Sequence, residues 1–196
     1  KRTPQGSAEQ MIRDFQRSGL DMKHRAALGA KPLAKWQNRI ADIGTLRELQ
    51  DVVANLHRIG AGPLFGAGVD QDAKQTTRYI LHIFQDGLGM PDRDYYLLTD
   101  KENTRVRDAY RAHVEAMFRL LKRKDAAAAA DTVLRIETAL AGVQMDKVSR
   151  REIEKTYNKR TRAQLSKLAP ALDWGRYLAR IGAGDERAFI VMQPAY

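Results

Sequence analysis

The chain has 196 residues, of which 43% are hydrophobic and 30% charged. That balance excludes a disordered or low-complexity protein and supplies enough apolar material for one sizeable core or two small ones. Lys and Arg number 34 against 24 Asp and Glu, a formal net charge of +10, and cysteine is absent, which excludes disulfides, thiolate metal sites and a cysteine nucleophile.

The chain begins with a pattern typical of short helices. Apolar side chains recur at helical spacing between Glu9 and Ser18, and Gly19 is expected to stop this first helix. Asp21 is expected to cap a second helix of one or two turns that ends at Gly29. The stripe on the first helix consists of Met11, Ile12 and Phe15.

Two more helices are predicted next. Pro32 fits the first turn of a helix that runs to about Ile43, because proline is tolerated where the backbone N–H has no helical partner. Its inward side chains are predicted to be Leu33, Trp36 and Ile40. Thr45 begins a capping box, which predicts a helix over about Leu46 to Ile59. The inner face of that helix is predicted to be Leu49, Val52, Val53 and Leu56.

The pattern then changes to that of extended structure. Leu64 to Val69 and Thr76 to Ile83 are rich in residues that favour strands, and the polar segment from Asp70 to Gln75 lies between them. Two such runs separated by a polar turn predict an antiparallel β-hairpin.

Two long helices are predicted after a loop from Asp86 to Leu97. Asp100 is expected to cap a helix to about Arg123, with an apolar stripe on one side. Asp125 is expected to cap another, which begins Ala-rich and runs to about Val148.

The last part of the chain carries shorter elements. Thr161 begins a second capping box, and Asp173 can cap a short helix that ends before Gly182. Phe189 to Met192 is β-branched and aromatic, which predicts a strand. The fold class predicted is therefore mainly α: a helical lobe with a small antiparallel β-hairpin and a short strand near the C-terminus.

Metal and nucleophile motifs are missing from the sequence. The four histidines lack the H-E-x-x-H spacing of a zinc helix, and no serine lies in a G-x-S-x-G turn. They are His24, His57, His82 and His113. We predict no catalytic residue and no metal ligand in this chain. No window approaches the about 18 apolar residues of a membrane span, so we also expect no membrane span.

Charge gives little support for a nucleic-acid partner. The densest basic run extends from Lys147 to Lys167 and contains a single aromatic residue, Tyr157, where a single-strand binder needs several stacking platforms. A solvated basic face is the favoured interpretation, and we predict no nucleic-acid partner.

One loop combines several residues that restrict the backbone. Two glycines permit positive φ, a proline fixes its own φ, aspartates can start turns, and an arginine and two tyrosines supply hydrogen bonds and packing. These residues are Gly87, Gly89, Pro91, Asp92, Arg93, Asp94, Tyr95 and Tyr96. We predict a structural loop that redirects the chain between the hairpin and a long helix; a binding loop is the alternative.

Five stretches carry a family resemblance and occur in a fixed order. They are Asp14 to Asp21, Gly62 to Asp70, Gly87 to Tyr96, Glu154 to Lys159, and Gln193 to Tyr196. The third is similar to an L-G-x-P-x-R-D-Y-Y motif and the fourth to E-K-T-Y-N-K. The chain thus resembles the N-terminal helical portion of neprilysin-type zinc metallopeptidases, including bacterial neutral endopeptidases.

The resemblance implies a function for the whole family and a smaller role for this chain. Residues 1–196 are expected to form one partial domain, the cap or lid of a secreted or periplasmic zinc metalloendopeptidase that hydrolyses peptides. The cap restricts the size of the substrates that reach the cleft. The zinc helix lies C-terminal to the matched region, so zinc is expected in that catalytic portion, no cofactor is expected here, and the chain should be inactive alone. Its expected partners are the catalytic portion and, in the complete enzyme, peptide substrates.

An alternative function stays open. The chain could instead be a stand-alone binding or scaffold module that keeps the cap fold without chemistry. Because it begins at Lys1 and not at a methionine, we expect a processed, cleaved or trimmed piece of a longer polypeptide. Such a piece should expose an apolar patch that involves the strand around Ile190 and the helices bordering it, through which self-association is possible.

Overall fold

The structure is a computed structural model that describes residues 4–196. Its helices are α1 (Ala8–Leu20), α2 (Met22–Leu28), α3 (Ala34–Ala41), α4 (Leu46–His57), α5 (Asp94–Leu97), α6 (Lys101–Leu120), α7 (Ala126–Val143), α8 (Ile153–Thr156), α9 (Arg162–Leu168) and α10 (Trp174–Ile181). Its strands are β1 (Phe65–Gln71), β2 (Tyr79–Gln85), β3 (Lys159–Thr161) and β4 (Ala188–Val191). Two 3₁₀ turns are Lys31–Leu33 and Ser149–Arg151. The predicted mainly α class with a small hairpin and a late strand is confirmed.

The polypeptide divides into two compact units, Lys1–Ala41 and Asp42–Tyr196. In the first, the Asp21 carboxylate accepts a hydrogen bond from the backbone N–H of His24 and caps α2, as predicted. Gly29 ends α2 with a φ of +53°. The predicted stop at Gly19 is wrong: its φ is not positive, and α1 continues to Leu20.

The described part of the first unit, residues 4–41, contains no buried residue. The predicted inward positions Leu33 and Ile40 are exposed, and only Trp36 is half-buried. Pro32 lies in a 3₁₀ turn, and the helix that follows ends at Ala41, before the predicted Ile43. Helical spacing therefore predicted the helix correctly but its buried face wrongly, because the short helices of residues 4–41 enclose no core.

The second unit is built on a four-stranded sheet with the order β1–β2–β4–β3. The predicted hairpin is confirmed, with Ala67 opposite Ile83 in the antiparallel register. Strand β4 lies between β2, to which it is parallel, and β3, to which it is antiparallel. Ile190 is therefore buried, so the strand itself exposes no apolar patch, whereas Leu168 on the neighbouring helix α9 is exposed. Strand β3 was not predicted.

The main core lies between one face of this sheet and three helices. Both predicted capping boxes are present, at Thr45 for α4 and at Thr161 for α9, and Asp173 caps α10 as predicted. The buried side chains of this core include Val53, Leu81, Ile83, Leu165, Trp174, Tyr177, Leu178, Phe189 and Val191. Burying apolar side chains of this size is the dominant favourable contribution to folding.

The two long helices, α6 and α7, pack against each other. Asp100 caps α6 as predicted, but α6 ends at Leu120 because Lys122 adopts a φ of +60°. Asp125 occupies the predicted N-cap position of α7, but its carboxylate makes no cap hydrogen bond and instead binds the Arg123 guanidinium at 2.6 Å. Helix α7 ends at Val143, before the predicted Val148.

Candidate functional site

The loop singled out in the sequence connects β2 to the α6–α7 pair and contains α5. Gly87 has a φ of +84°, and a Cβ there would lie 2.7 Å from the backbone nitrogen of Leu64. A Cβ on Gly89 would overlap the hydroxyl of Tyr110 on α6. Position 87 therefore requires glycine for its backbone conformation and for space, whereas a side chain at position 89 would have to displace Tyr110.

Tyr96 forms the centre of a small polar network beneath the loop. Its hydroxyl accepts a hydrogen bond from the backbone N–H of Met90 at 2.9 Å and donates one to Glu137 at 2.6 Å. Tyr110 donates to the other oxygen of the same carboxylate at 3.0 Å. Burial raises the pKa of Tyr96 far above its usual range, and burial together with the Glu137 charge raises the pKa of Tyr110 to about 12. Both hydroxyls therefore remain protonated donors at neutral pH.

The charged residues of the loop also hold it in place. The Asp92 carboxylate accepts from the backbone N–H of Asp94 at 3.0 Å and starts the turn that leads into α5. The Arg93 guanidinium donates to the backbone carbonyl of Gln144, at the end of α7. Asp94 lies 3.6 Å from the ammonium of Lys147. The charged groups of Asp92, Arg93 and Asp94 are therefore all bound by other groups of the same chain.

The end of the loop is held by an arginine of α6. The Arg107 guanidinium donates to the backbone carbonyls of Tyr95 and Leu98 at 2.9 and 3.0 Å, and also to that of Tyr96. Tyr95 is half-buried, and Pro91 is exposed at the outer side of the turn. Each contact satisfies a carbonyl that would otherwise lack a partner at the C-terminal end of the short α5.

Sequence reasoning missed the partners on the neighbouring helices. Glu137 shares one side of α7 with Leu134 and Ala141, at helical spacing. A carboxylate on the otherwise apolar, loop-facing side of a helix was the signal that could have identified it. The carbonyl of Gln144 carries no such signal, because every residue has one.

The E-K-T-Y-N-K stretch binds a buried carboxylate in the hairpin turn. Asp72 is fully buried, and it accepts from the Tyr157 hydroxyl at 2.7 Å and from the Lys159 ammonium at 3.0 Å. The Tyr157 hydrogen bond, with help from Lys159, lowers the pKa of Asp72 to about 2. Its contribution to stability is therefore present above the ordinary pKa of 3.8 and is lost as the pH falls toward 2. Lys159 thus departs from the solvated face predicted for this basic run.

His57, the last residue of α4, lies against Tyr177 of α10. Its Nδ1 lies 2.6 Å from the Tyr177 hydroxyl. Burial lowers the pKa of His57 below 6.5. The neutral ring therefore stabilises the fold above about pH 6.5, and that contribution is lost as the pH falls below it.

Within residues 4–196 no three His, Asp or Glu side chains come together in a way that could hold a metal ion. Across the same residues, no helix is both long and apolar enough to cross a bilayer. What the loop and its partners form is a tightly bonded corner between a sheet and two helices.

Comparison with known proteins gives the family. The N-terminal model of peptidase family M13 matches residues 1–196. The chain belongs to peptidase family M13. This confirms the predicted neprilysin-type resemblance.

Individual relatives agree with this assignment. The human protein endothelin-converting enzyme-like 1 is 32% identical over 196 residues, which cover 93% of this chain and 25% of that protein. Human endothelin-converting enzyme 1 is 30% identical, over 89% of this chain and 24% of that protein. The crystal structure of the Mycobacterium tuberculosis zinc metalloprotease Zmp1 with an inhibitor is 35% identical, with a TM-score of 0.89, and covers 99% of this chain and 30% of that one. The M13 family chain thus spans about a quarter of the curated relatives it matches.

Proposed function

We propose that this chain is the non-catalytic N-terminal portion of a secreted or periplasmic zinc metalloendopeptidase, in which it caps the active-site cleft and limits the size of the peptides that enter. The observation that carries the proposal is the match of the family's N-terminal model to the whole chain, while the chain spans only about a quarter of the relatives. The remaining three quarters of such proteins would hold the catalytic groups.

A cap that excludes large substrates must be rigid, because the width of the opening that it leaves has to stay constant. The loop from Gly87 to Tyr96 is fixed to both long helices, through Glu137 of α7 and Arg107 of α6. Its turn is further fixed by the bond from Arg93 to the end of α7. We infer that the loop is structural, because its polar groups bond within the protein and a Cβ on Gly87 would overlap the backbone of Leu64.

Zinc is assigned to the remaining portion of the polypeptide. The histidine and carboxylate side chains of residues 4–196 do not assemble a ligand set for it. In this proposal the chain forms part of the wall of the active-site cleft, and its loop makes a rigid junction between the sheet and the two long helices. The groups that hydrolyse the peptide lie in the remaining portion.

The test is co-expression of residues 1–196 with the catalytic portion that follows them in the gene. We expect residues 1–196 alone to cleave nothing, and the pair to cleave a short fluorogenic peptide while leaving a large unfolded protein such as reduced casein intact. Measuring both rates with and without residues 1–196 separates catalysis from size selection.

Two results would contradict the proposal. The first is a catalytic portion that cleaves the peptide and casein in the same ratio whether or not residues 1–196 are present. The second is a chain that stays a stable monomer and does not associate with the catalytic portion, which would favour a stand-alone scaffold module.

A further inference from the structure

An apolar cavity of about 320 Å³ opens at one end of the main core. It lies between the sheet, α7, α9 and the start of α10, all within the second unit. Its walls include Phe65, Leu140, Leu168, Leu172, Trp174 and Tyr196. The volume is sufficient for a few large side chains or a small ligand.

The polar groups beside the cavity are already in use. The Gln193 side-chain oxygen accepts from the backbone N–H of Gln85 at 2.9 Å. The Tyr196 hydroxyl is within hydrogen-bond distance of the carbonyl of Asp86, at 2.8 Å, and of a second carbonyl. The indole of Trp174 donates to the carbonyl of Ala169 at 3.2 Å. A polar ligand would find few groups here to orient it, so an apolar occupant fits best.

Apolar surface continues outward from the cavity along α7. Leu140 lines the cavity, and on the same side of the helix Ile136 and Val143 are 42% and 52% exposed. Leu168, in the cavity wall, is 43% exposed. A cavity joined to an exposed apolar stripe is typical of a protein-docking surface.

We propose that apolar side chains from the part of the polypeptide that family members carry beyond this chain seat in this cavity and on the Ile136–Val143 stripe. The inference rests on the proposed function, because it requires a catalytic portion on the same polypeptide. Tyr196 lies at the cavity, so a chain that continues past it starts beside the docking surface. A tethered segment so close has a high effective concentration, which favours it over a second copy or a free ligand.

The test uses the absence of cysteine, which makes a single introduced thiol the only one in the chain. Leu168→Cys probes the cavity wall, and Leu120→Cys is the matched control: each replaces the last residue of a helix, and Leu120 is 69% exposed. Each variant is made as residues 1–196 and as the longer polypeptide continued past Tyr196, with any cysteines in the continuation replaced by serine. The rate of reaction with a maleimide is measured in all four proteins, after circular dichroism has verified that each is folded.

We expect the thiol at position 168 to react about tenfold more slowly, or slower still, in the longer polypeptide, because it can react only when the docked segment opens. The thiol at position 120 should change little. Equal rates at position 168 in the two lengths would overturn the proposal, as would equal protection at both positions or a gene without a continuation. Protection that appears in residues 1–196 alone and rises with protein concentration would assign the surface to a second copy and would also overturn it.

Failure of this inference can be told apart from failure of the proposed function. A longer polypeptide that cleaves peptides and excludes casein, yet leaves position 168 fully reactive, would contradict the docking surface alone. One that protects position 168 but cleaves both substrates would contradict the size restriction alone.

Discussion

The two units of the chain differ in how their helices are stabilised. Helices α1 and α2 have good caps, at Ser7 and Asp21, yet residues 4–41 bury no side chain. Residues 42–196 contain equally good caps and also two clusters of buried side chains. The difference teaches that caps and amphipathic spacing specify where a helix lies, whereas a core needs partners from distant parts of the sequence.

Long-range polar contacts reinforce the larger unit. Gln50 of α4 exchanges side-chain hydrogen bonds with the backbone of Asp173, and Asp51 binds the guanidinium of Arg176 through both carboxylate oxygens. The hydrogen bond from Arg176 lowers the pKa of Asp51, so the contribution of this pair to stability is fully present above the ordinary pKa of 3.8 and is lost as the pH falls through the lowered pKa. In the smaller unit, Ser7 and Asp21 make short-range hydrogen bonds that cap α1 and α2.

The largest expected difference in stability is between two Phe→Ala variants, one in each unit. Phe189→Ala should lower the free energy of unfolding by about 3–5 kcal/mol, because Phe189 is fully buried in the main core and its removal leaves a cavity. Phe15→Ala should change it by less than about 0.5 kcal/mol, because Phe15 is 82% exposed. Urea denaturation followed by circular dichroism measures both; similar losses would show that α1 is buried in solution and would contradict the contrast.

A smaller effect is expected from two glycines within the larger unit. Gly89→Ala should cost about 1–3 kcal/mol, because its Cβ would displace the Tyr110 hydroxyl from Glu137. Gly142→Ala, in the last turn of α7, meets nothing within 4 Å and should be neutral or stabilising by up to about 1 kcal/mol. The two variants are compared by thermal unfolding. A Gly89→Ala protein as stable as Gly142→Ala would contradict the expectation that a side chain at position 89 destabilises the loop.

The smallest effect should come from the caps, and it should differ between the units. Thr45→Ala should lower the free energy of unfolding by about 1 kcal/mol, because α4 carries part of the main core. Asp21→Ala should leave global unfolding unchanged and reduce only the helicity of α2, which buries nothing. Hydrogen exchange of the amide of His24, compared with that of Glu48, distinguishes local from global loss; a global loss in Asp21→Ala would mean that the two units unfold together.

Much of the helical structure could be predicted because its signals are local. Thr45, Thr161, Asp100 and Asp173 all cap the helices that the sequence assigned to them. Asp125 was predicted by the same rule and does precede α7, but its carboxylate binds Arg123 and makes no cap hydrogen bond. A neighbour two residues away is enough to change which group a short polar side chain binds.

The sheet and the loop network were harder to predict. Strand β3 has three residues, Lys159–Thr161, and no apolar alternation, so its only reason to be extended is its pairing with β4. The loop glycines and tyrosines were recognised, but Glu137 and Arg107, which hold them, are distant in sequence. The family placement came from ordered motifs and not from any of these contacts.

The place of β4 in the sheet also sets an order of events during synthesis. Strand β4 is the last of these four strands to be synthesised, yet β3 pairs with it and not with the hairpin. One edge of β2 therefore stays open while residues 86–187 are made, on the order of ten seconds at usual translation rates. Open strand edges invite pairing with other chains, so a nascent chain stalled before Ala188 should be the form most prone to aggregate.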